Sequence, residues 1–191
     1  MTIAALAGCS TSAPSTPAGA SSPFPSPAPV PMIPRDALTG YVVHSEPLDA
    51  TAVAGDGADA ATMETVLEDS GFQTGAERRF TARWKPLTEV TARVLRFDDA
   101  AGADAYLTWI RTHGGDLLGP GAETSTPPDV PGAVAFVHVP CSSCTKDPLQ
   151  YLSAWTRGRY VLVLLLGGAR AGRVAATPLA EDLDASVRME G

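Results

Sequence analysis

The chain has 191 residues, with 14 Lys and Arg against 21 Asp and Glu, and a net charge of −7 near neutrality. That balance speaks against a nucleic-acid or anionic-lipid surface as partner, and the scattered basic residues, of which only Lys85 and Lys146 are lysines, read as solvated surface plus ion pairs. The longest apolar run, Tyr160 to Leu166, falls far short of the roughly 20 residues a membrane helix needs, so any membrane attachment must come through a lipid.

Leu6-Ala7-Gly8-Cys9 reads as the site of such an attachment. A lipobox needs small residues at the cleavage point and a thiol directly after it, and Ala7, Gly8 and Cys9 supply them. Met1 to Leu6 holds no Lys or Arg and few apolar residues, whereas a signal peptide carries a basic n-region and an apolar stretch of about 7–15 residues. Residues 1–8 are therefore expected to be the remnant of a longer signal peptide. Cys9 is the expected lipid-attachment residue, and a diacyl modification would give the second anchoring signal that one chain lacks. The expected location is the extracytoplasmic face of the cell membrane.

Residues 9–35 follow as a linker. Ser10 to Pro34 contains nearly half of the 17 prolines and almost no charge, a composition that favours a semi-extended spacer over a packed element. Residues 36–191 are long enough for one globular domain with its own core.

Within that domain, Tyr41-Val42-Val43 reads as a short strand and Ala50 to Ala58 as a loop. Asp59 is the expected N-cap of a helix with Met63, Val66 and Leu67 on one face and Gly71 as its stop. Glu64, Glu68 and Asp69 fall on its other faces and read as solvated. Thr74 to Trp84 and Glu89 to Phe97 read as two strands, the second with the period-two alternation of a half-buried antiparallel strand. Asp98 or Asp99 caps a second helix, in which Ala103, Tyr106, Leu107 and Ile110 share a face and Gly114-Gly115 end it. A Pro/Gly-rich loop spans Gly119 to Gly132, and Ala133 to Val139 is another strand.

A final hairpin joins Leu149–Thr156 to Arg159–Leu166 across Arg157-Gly158. Val161 to Leu165 is apolar on both faces, which predicts a central strand covered on both sides. Thr177 and Pro178 suit the N-cap and first position of a last helix with Leu179, Leu183 and Val187 as its stripe. The sum is an α+β domain with a mostly antiparallel sheet and helices packed against it.

The lipobox, the Pro/Ser spacer, Gly71-Phe72 leading into a strand, Arg93-Val94-Leu95-Arg96-Phe97-Asp98 and Ala100-Ala101-Gly102-Ala103 resemble small actinobacterial cell-envelope lipoproteins. Some of these have a Mog1/PsbP-like fold. The resemblance implies an envelope location and an α/β domain, and it carries over no functional residue.

With Cys9 assigned to lipid, Cys141 and Cys144 remain as a pair, which an oxidising compartment favours joining in a structural disulfide. A redox C-x-x-C sits at a helix start, and Asp147-Pro148 argues against a helix here. His138, Cys141 and Cys144 form H-x-x-C-x-x-C, but a closed zinc site needs a fourth ligand, and His44 and His113 lie in unrelated segments.

Gly55 to Ala60 matches a degenerate dinucleotide-binding string, but Asp56 and Asp59 oppose a phosphate there, and Gly167 to Gly172 lacks the Lys-Ser/Thr of a P-loop. No Gly-x-Ser-x-Gly elbow occurs. Trp84, Trp109 and Trp155 read as packing residues before pocket residues. No catalytic residue, metal or cofactor is assigned.

The expected function is a lipid-anchored binding or interaction module without its own catalysis, for a small apolar ligand or an envelope protein. The alternative is a thiol–disulfide oxidoreductase using Cys141 and Cys144.

Overall fold

The run Val161 to Leu165 is apolar on both faces because the strand that contains it, β7 (Tyr160–Gly167), lies in the middle of a sheet covered on both sides. The computed structural model describes residues 30–55, 59–140 and 148–188. Among these the other strands are β1 (Val42–Leu48), β2 (Phe72–Thr81), β3 (Glu89–Phe97), β4 (Glu123–Thr124), β5 (Val134–His138) and β6 (Gln150–Arg157). They form one seven-stranded sheet in the order β1-β2-β3-β7-β6-β5-β4, and every neighbouring pair is antiparallel. Four helices are described: α1 (Ala50–Ala54), α2 (Ala60–Asp69), α3 (Ala100–His113) and α4 (Arg173–Arg188). The α+β reading, with a mostly antiparallel sheet and helices packed on it, is what the chain adopts.

Strand alternation sorts side chains onto two cores. On one face Phe80, Val94, Trp155, Leu162 and Leu164 pack beneath α4, whose Ala176, Leu179, Ala180, Leu183 and Val187 recur at helical spacing. On the other, Leu95, Phe97, Leu152, Ala154 and Val161 lie beneath α1, α2 and α3. Each fully buried Leu, Val or Phe contributes about 1.5–3 kcal/mol, so the sheet is held from both sides. β3 is thus covered on both faces, not half-buried: Thr91 is buried and Arg93 largely so.

The helix caps follow local chemistry. Asp59 accepts from the Thr62 amide at 3.2 Å, Asp99 from the Gly102 amide at 2.8 Å, and Gly71, with φ of 73°, turns the chain out of α2. Gly102 is required by close approach: a Cβ there would overlap the carbonyl oxygen of Ser70, where α2 ends against the start of α3.

Several expectations are corrected. Ala50 to Ala54 is a helix and not a loop, because Asp49 caps it by accepting from the Ala52 amide at 2.8 Å. β1 runs on to Leu48 and includes Pro47, tolerated on an edge strand whose outer side needs no donor. The hairpin turn is Gly158-Arg159, one residue later than expected, with Gly158 at φ of 52°. α4 begins four residues before Thr177, so Pro178 lies inside it. The amide that Pro178 lacks would have served the Val174 carbonyl, in a first turn where Val174 is exposed to solvent.

The described chain also reaches back into residues expected to be linker. Ile33 is buried in the core and its carbonyl accepts from Arg78. Residues 1–29 lie outside the described residues, and with them the lipobox and most of the spacer.

Candidate functional site

The face of the sheet beneath α1–α3 is divided lengthwise. β7 and β6 present Val163, Leu165 and Leu152, all apolar, whereas β2 and β3 present Glu77, Arg79, Glu89, Thr91 and Arg93. The registry makes this polar strip: Glu77 lies opposite Arg93, and Arg79 opposite Thr91. Glu77 has a side chain only 2% exposed, and it is neutralised from both sides. Nε of Arg93 donates to its Oε2 at 2.7 Å, Nη2 of Arg93 lies 2.7 Å from the same oxygen, and Nη2 of Arg79 lies 2.8 Å from its Oε1. Nε of Arg79 lies 3.5 Å from Glu89, whose Oε1 also accepts from the Thr91 hydroxyl at 3.4 Å. Among the described residues two carboxylates and two guanidinium groups balance, which favours covering such a strip.

A cavity of about 260 Å³ stands over this floor. Val53 of α1 and Met63 of α2 form one wall, Tyr106 and Ile110 of α3 another, and Leu117 closes the rim. The helices reach over the apolar half and leave the Arg79 and Glu89 end open to water, with those side chains 42% and 44% exposed. The Tyr106 ring is buried and packs between Phe97 and Trp109. Burial raises its hydroxyl well above the ordinary tyrosine range, with the Arg93 charge partly opposing, so it stays protonated at neutral pH. It makes no hydrogen bond among the described residues, which leaves a donor inside the cavity. Among the described residues the lining contains no Ser, Cys or His. The arrangement can hold an apolar body against α3, β7 and β6 while a polar head meets Arg79, Glu89 and Thr91.

Met63, Tyr106 and Ile110, expected on the apolar faces of their helices, line this cavity, whereas none of the described His and Trp residues weighed in the sequence for chemistry does. Cys9, Cys141 and Cys144 lie outside the described residues. His138 ends β5 with its Nδ1 buried and without a hydrogen-bond partner there, His44 pairs with Glu46 on β1, and His113 stacks on Trp109 at the end of α3. No group of His, Cys, Asp and Glu among the described residues is placed to hold a metal ion. The three tryptophans are apart: Trp155 is buried and donates to Asp184 at 3.1 Å, Trp109 belongs to the α3 aromatic stack, and Trp84 projects into solvent. Gly167 to Gly172 is the connector from β7 to α4, as expected.

Sequence reasoning missed the cleft because its charged residues come from two strands. Arg93 alone on an alternating strand signals a solvent face, and only the pairing with Glu77 reveals a covered one. The available signal was the matched alternation of Glu77 and Arg79 with Glu89, Thr91 and Arg93 on consecutive strands.

No family model matches the chain, and no curated protein matches it in sequence. Among solved structures it is similar to the extracellular domain of PknH from Mycobacterium tuberculosis, with a TM-score of 0.50 and 10% identity, over 76% of this chain and 85% of that one. At that identity the likeness is one of fold. No helix among the described residues is long and apolar enough to cross a membrane.

Proposed function

We propose that the chain is a lipid-anchored, extracytoplasmic ligand-binding module without chemistry of its own, and that its ligand occupies the cleft between the sheet and α1–α3. The observation that carries this is the divided floor: a cavity of about 260 Å³ that is apolar along β7, β6 and α3 and charged but balanced along β2 and β3. It suits a small molecule with an apolar body and one polar head. The extracytoplasmic part of the reading draws on the fold shared with an extracellular domain and on the lipobox at Cys9.

Two experiments test it. Anilinonaphthalene sulfonate, which has this shape, is expected to bind the wild type with a rise in fluorescence. Leu165 is half-buried in the floor, and Leu165→Trp should fill the cavity and weaken the probe by about tenfold or more while melting near the wild type. Equal binding by wild type and Leu165→Trp would place the probe elsewhere and remove the reading. For the anchor, the protein made in its native host is expected to take up palmitate, and Cys9→Ser to lose the label. Continued labelling of that variant would end the lipobox argument.

A further inference from the structure

Four large apolar side chains are exposed among the described residues: Val42 (74%), Trp84 (94%), Val139 (66%) and Val174 (89%). The registry places all four at one end of the sheet. Val42, Thr81, Glu89, Gly167, Gln150 and His138 form a single row across six strands. Val139 follows His138 directly, Trp84 projects from the turn between β2 and β3, and Val174 lies in the first turn of α4, reached from Gly167 by a short connector. At about 4.8 Å per strand this row is about 24 Å wide.

Exposed cations stand among these residues. Arg83 and Lys85 flank Trp84, Arg170 is held beside that turn by its amide on the Pro86 carbonyl at 3.1 Å, and Arg173 opens α4. Arg173 is paired with Asp129, and Glu89 in the row faces the cleft and is engaged by Arg79. Arg83 and Arg170 make no ion pair among the described residues. The opposite end of the strands is mixed: Glu68 and Asp69 close α2, Asp98 and Asp99 follow β3 and Asp104 lies in the first turns of α3, while Arg96, Arg157 and Arg159 stand at the ends of β3, β6 and β7 and Arg188 ends α4. The net charge of −7 therefore does not describe the end that carries the exposed apolar groups, where, among the described residues, Arg83, Lys85, Arg170 and Arg173 outnumber Glu89 and Asp129.

We propose that this end docks on the surface of an anionic lipid bilayer, with Trp84 seated between headgroups and acyl chains and Arg83, Lys85 and Arg170 against the phosphates. Tryptophan favours that boundary because its ring is apolar and its N–H is not, and clustered cations are drawn to an anionic leaflet over a Debye length. Trp84 makes no ring or hydrogen-bond contact with the rest of the described chain, so its ring is free to insert. A second copy of this chain is a poor occupant, since a two-fold contact would bring the same cations face to face.

The test uses the full chain produced without a lipid, so that it is independent of both the anchor and the cleft ligand. It is sedimented with vesicles of phosphatidylglycerol and phosphatidylcholine and with vesicles of phosphatidylcholine alone. The wild type is expected to bind the anionic vesicles, more weakly as salt rises, with a blue shift of tryptophan emission. Trp84→Ala and Arg83→Glu should each weaken binding by about tenfold, and Trp84→Ala should melt with the wild type because its ring packs against nothing. Failure of the wild type to bind anionic vesicles at low salt would overturn the proposal, as would a Trp84→Ala variant that binds as tightly. A wild-type dimer that Trp84→Ala makes monomeric would also overturn it, by assigning the patch to self-association.

Discussion

Asp184→Ala is expected to lower the melting temperature by about 6–20 °C, from a cost of about 3–5 kcal/mol for breaking a buried charge cluster and about 2–4 °C per kcal/mol in a domain of this size. Asp184 lies on the sheet-facing side of α4 and is 1% exposed. Its Oδ1 accepts from Trp155 Nε1 at 3.1 Å and from Arg157 Nε. Its Oδ2 accepts from Arg157 Nη2 at 3.1 Å and from Arg188, including Nε at 2.8 Å. One carboxylate thereby ties the end of α4 to β6 and gives the buried indole N–H an acceptor. Its removal orphans that N–H and the Arg157 guanidinium, which is 27% exposed, whereas Arg188 is 65% exposed and rehydrates.

Burial pushes the Asp184 carboxyl upward, but the hydrogen bonds from Arg157, Arg188 and Trp155 outweigh it, so the group titrates below its ordinary 3.8. A depressed pKa contributes stability above the unfolded value and loses it as pH falls through the folded one. The gap between wild type and Asp184→Ala should therefore be full near neutrality and narrow only below about pH 4. Thermal melts across that range check it, and a gap that widens in acid would contradict the assignment.

The parts of the fold legible in sequence were those in which local chemistry and tertiary packing agree. Asp59 and Gly71 bracket α2, Asp99 opens α3, and the unbroken apolar run of β7 announced a central strand. The misreadings have the opposite character. Gly55 and the acidic residues after it obscured α1, although Asp49 stood at its start as a cap. Thr177-Pro178 is a good helix start by local rules, and packing of Ala176 and Ala180 against the sheet carries the helix through it. The cleft was illegible for a third reason: Glu77 and Arg93 are 16 residues apart, and strand registry rather than spacing makes them partners. Trp84 was grouped with the other tryptophans because composition does not distinguish a turn tip from a core.

The charged floor of the cleft gives the second large effect. Glu77→Ala is expected to destabilise by about 2–4 kcal/mol, at the low end of a broken buried pair because Arg79 can turn to water. Glu77 neutralises Arg79 and Arg93 on the floor between them, and Arg93 is only 19% exposed. Without the carboxylate these two guanidinium groups, on adjacent strands, lose the acceptor they share, while Glu89 stays near Arg79. The cleft above them is open to solvent at that end, so a small anion can take the place of the lost carboxylate. Phosphate in the buffer should therefore raise the melting temperature of Glu77→Ala more than that of the wild type, by the linkage between ligand binding and unfolding. Glu77→Gln keeps an acceptor and the volume but not the charge, and it should fall between the two in stability and in response to phosphate. Melts of the three proteins with and without phosphate at matched ionic strength decide it. Equal phosphate shifts would mean that Glu77 does not hold the two arginines at a shared, accessible site, and the charge pairing described for the cleft floor would be wrong.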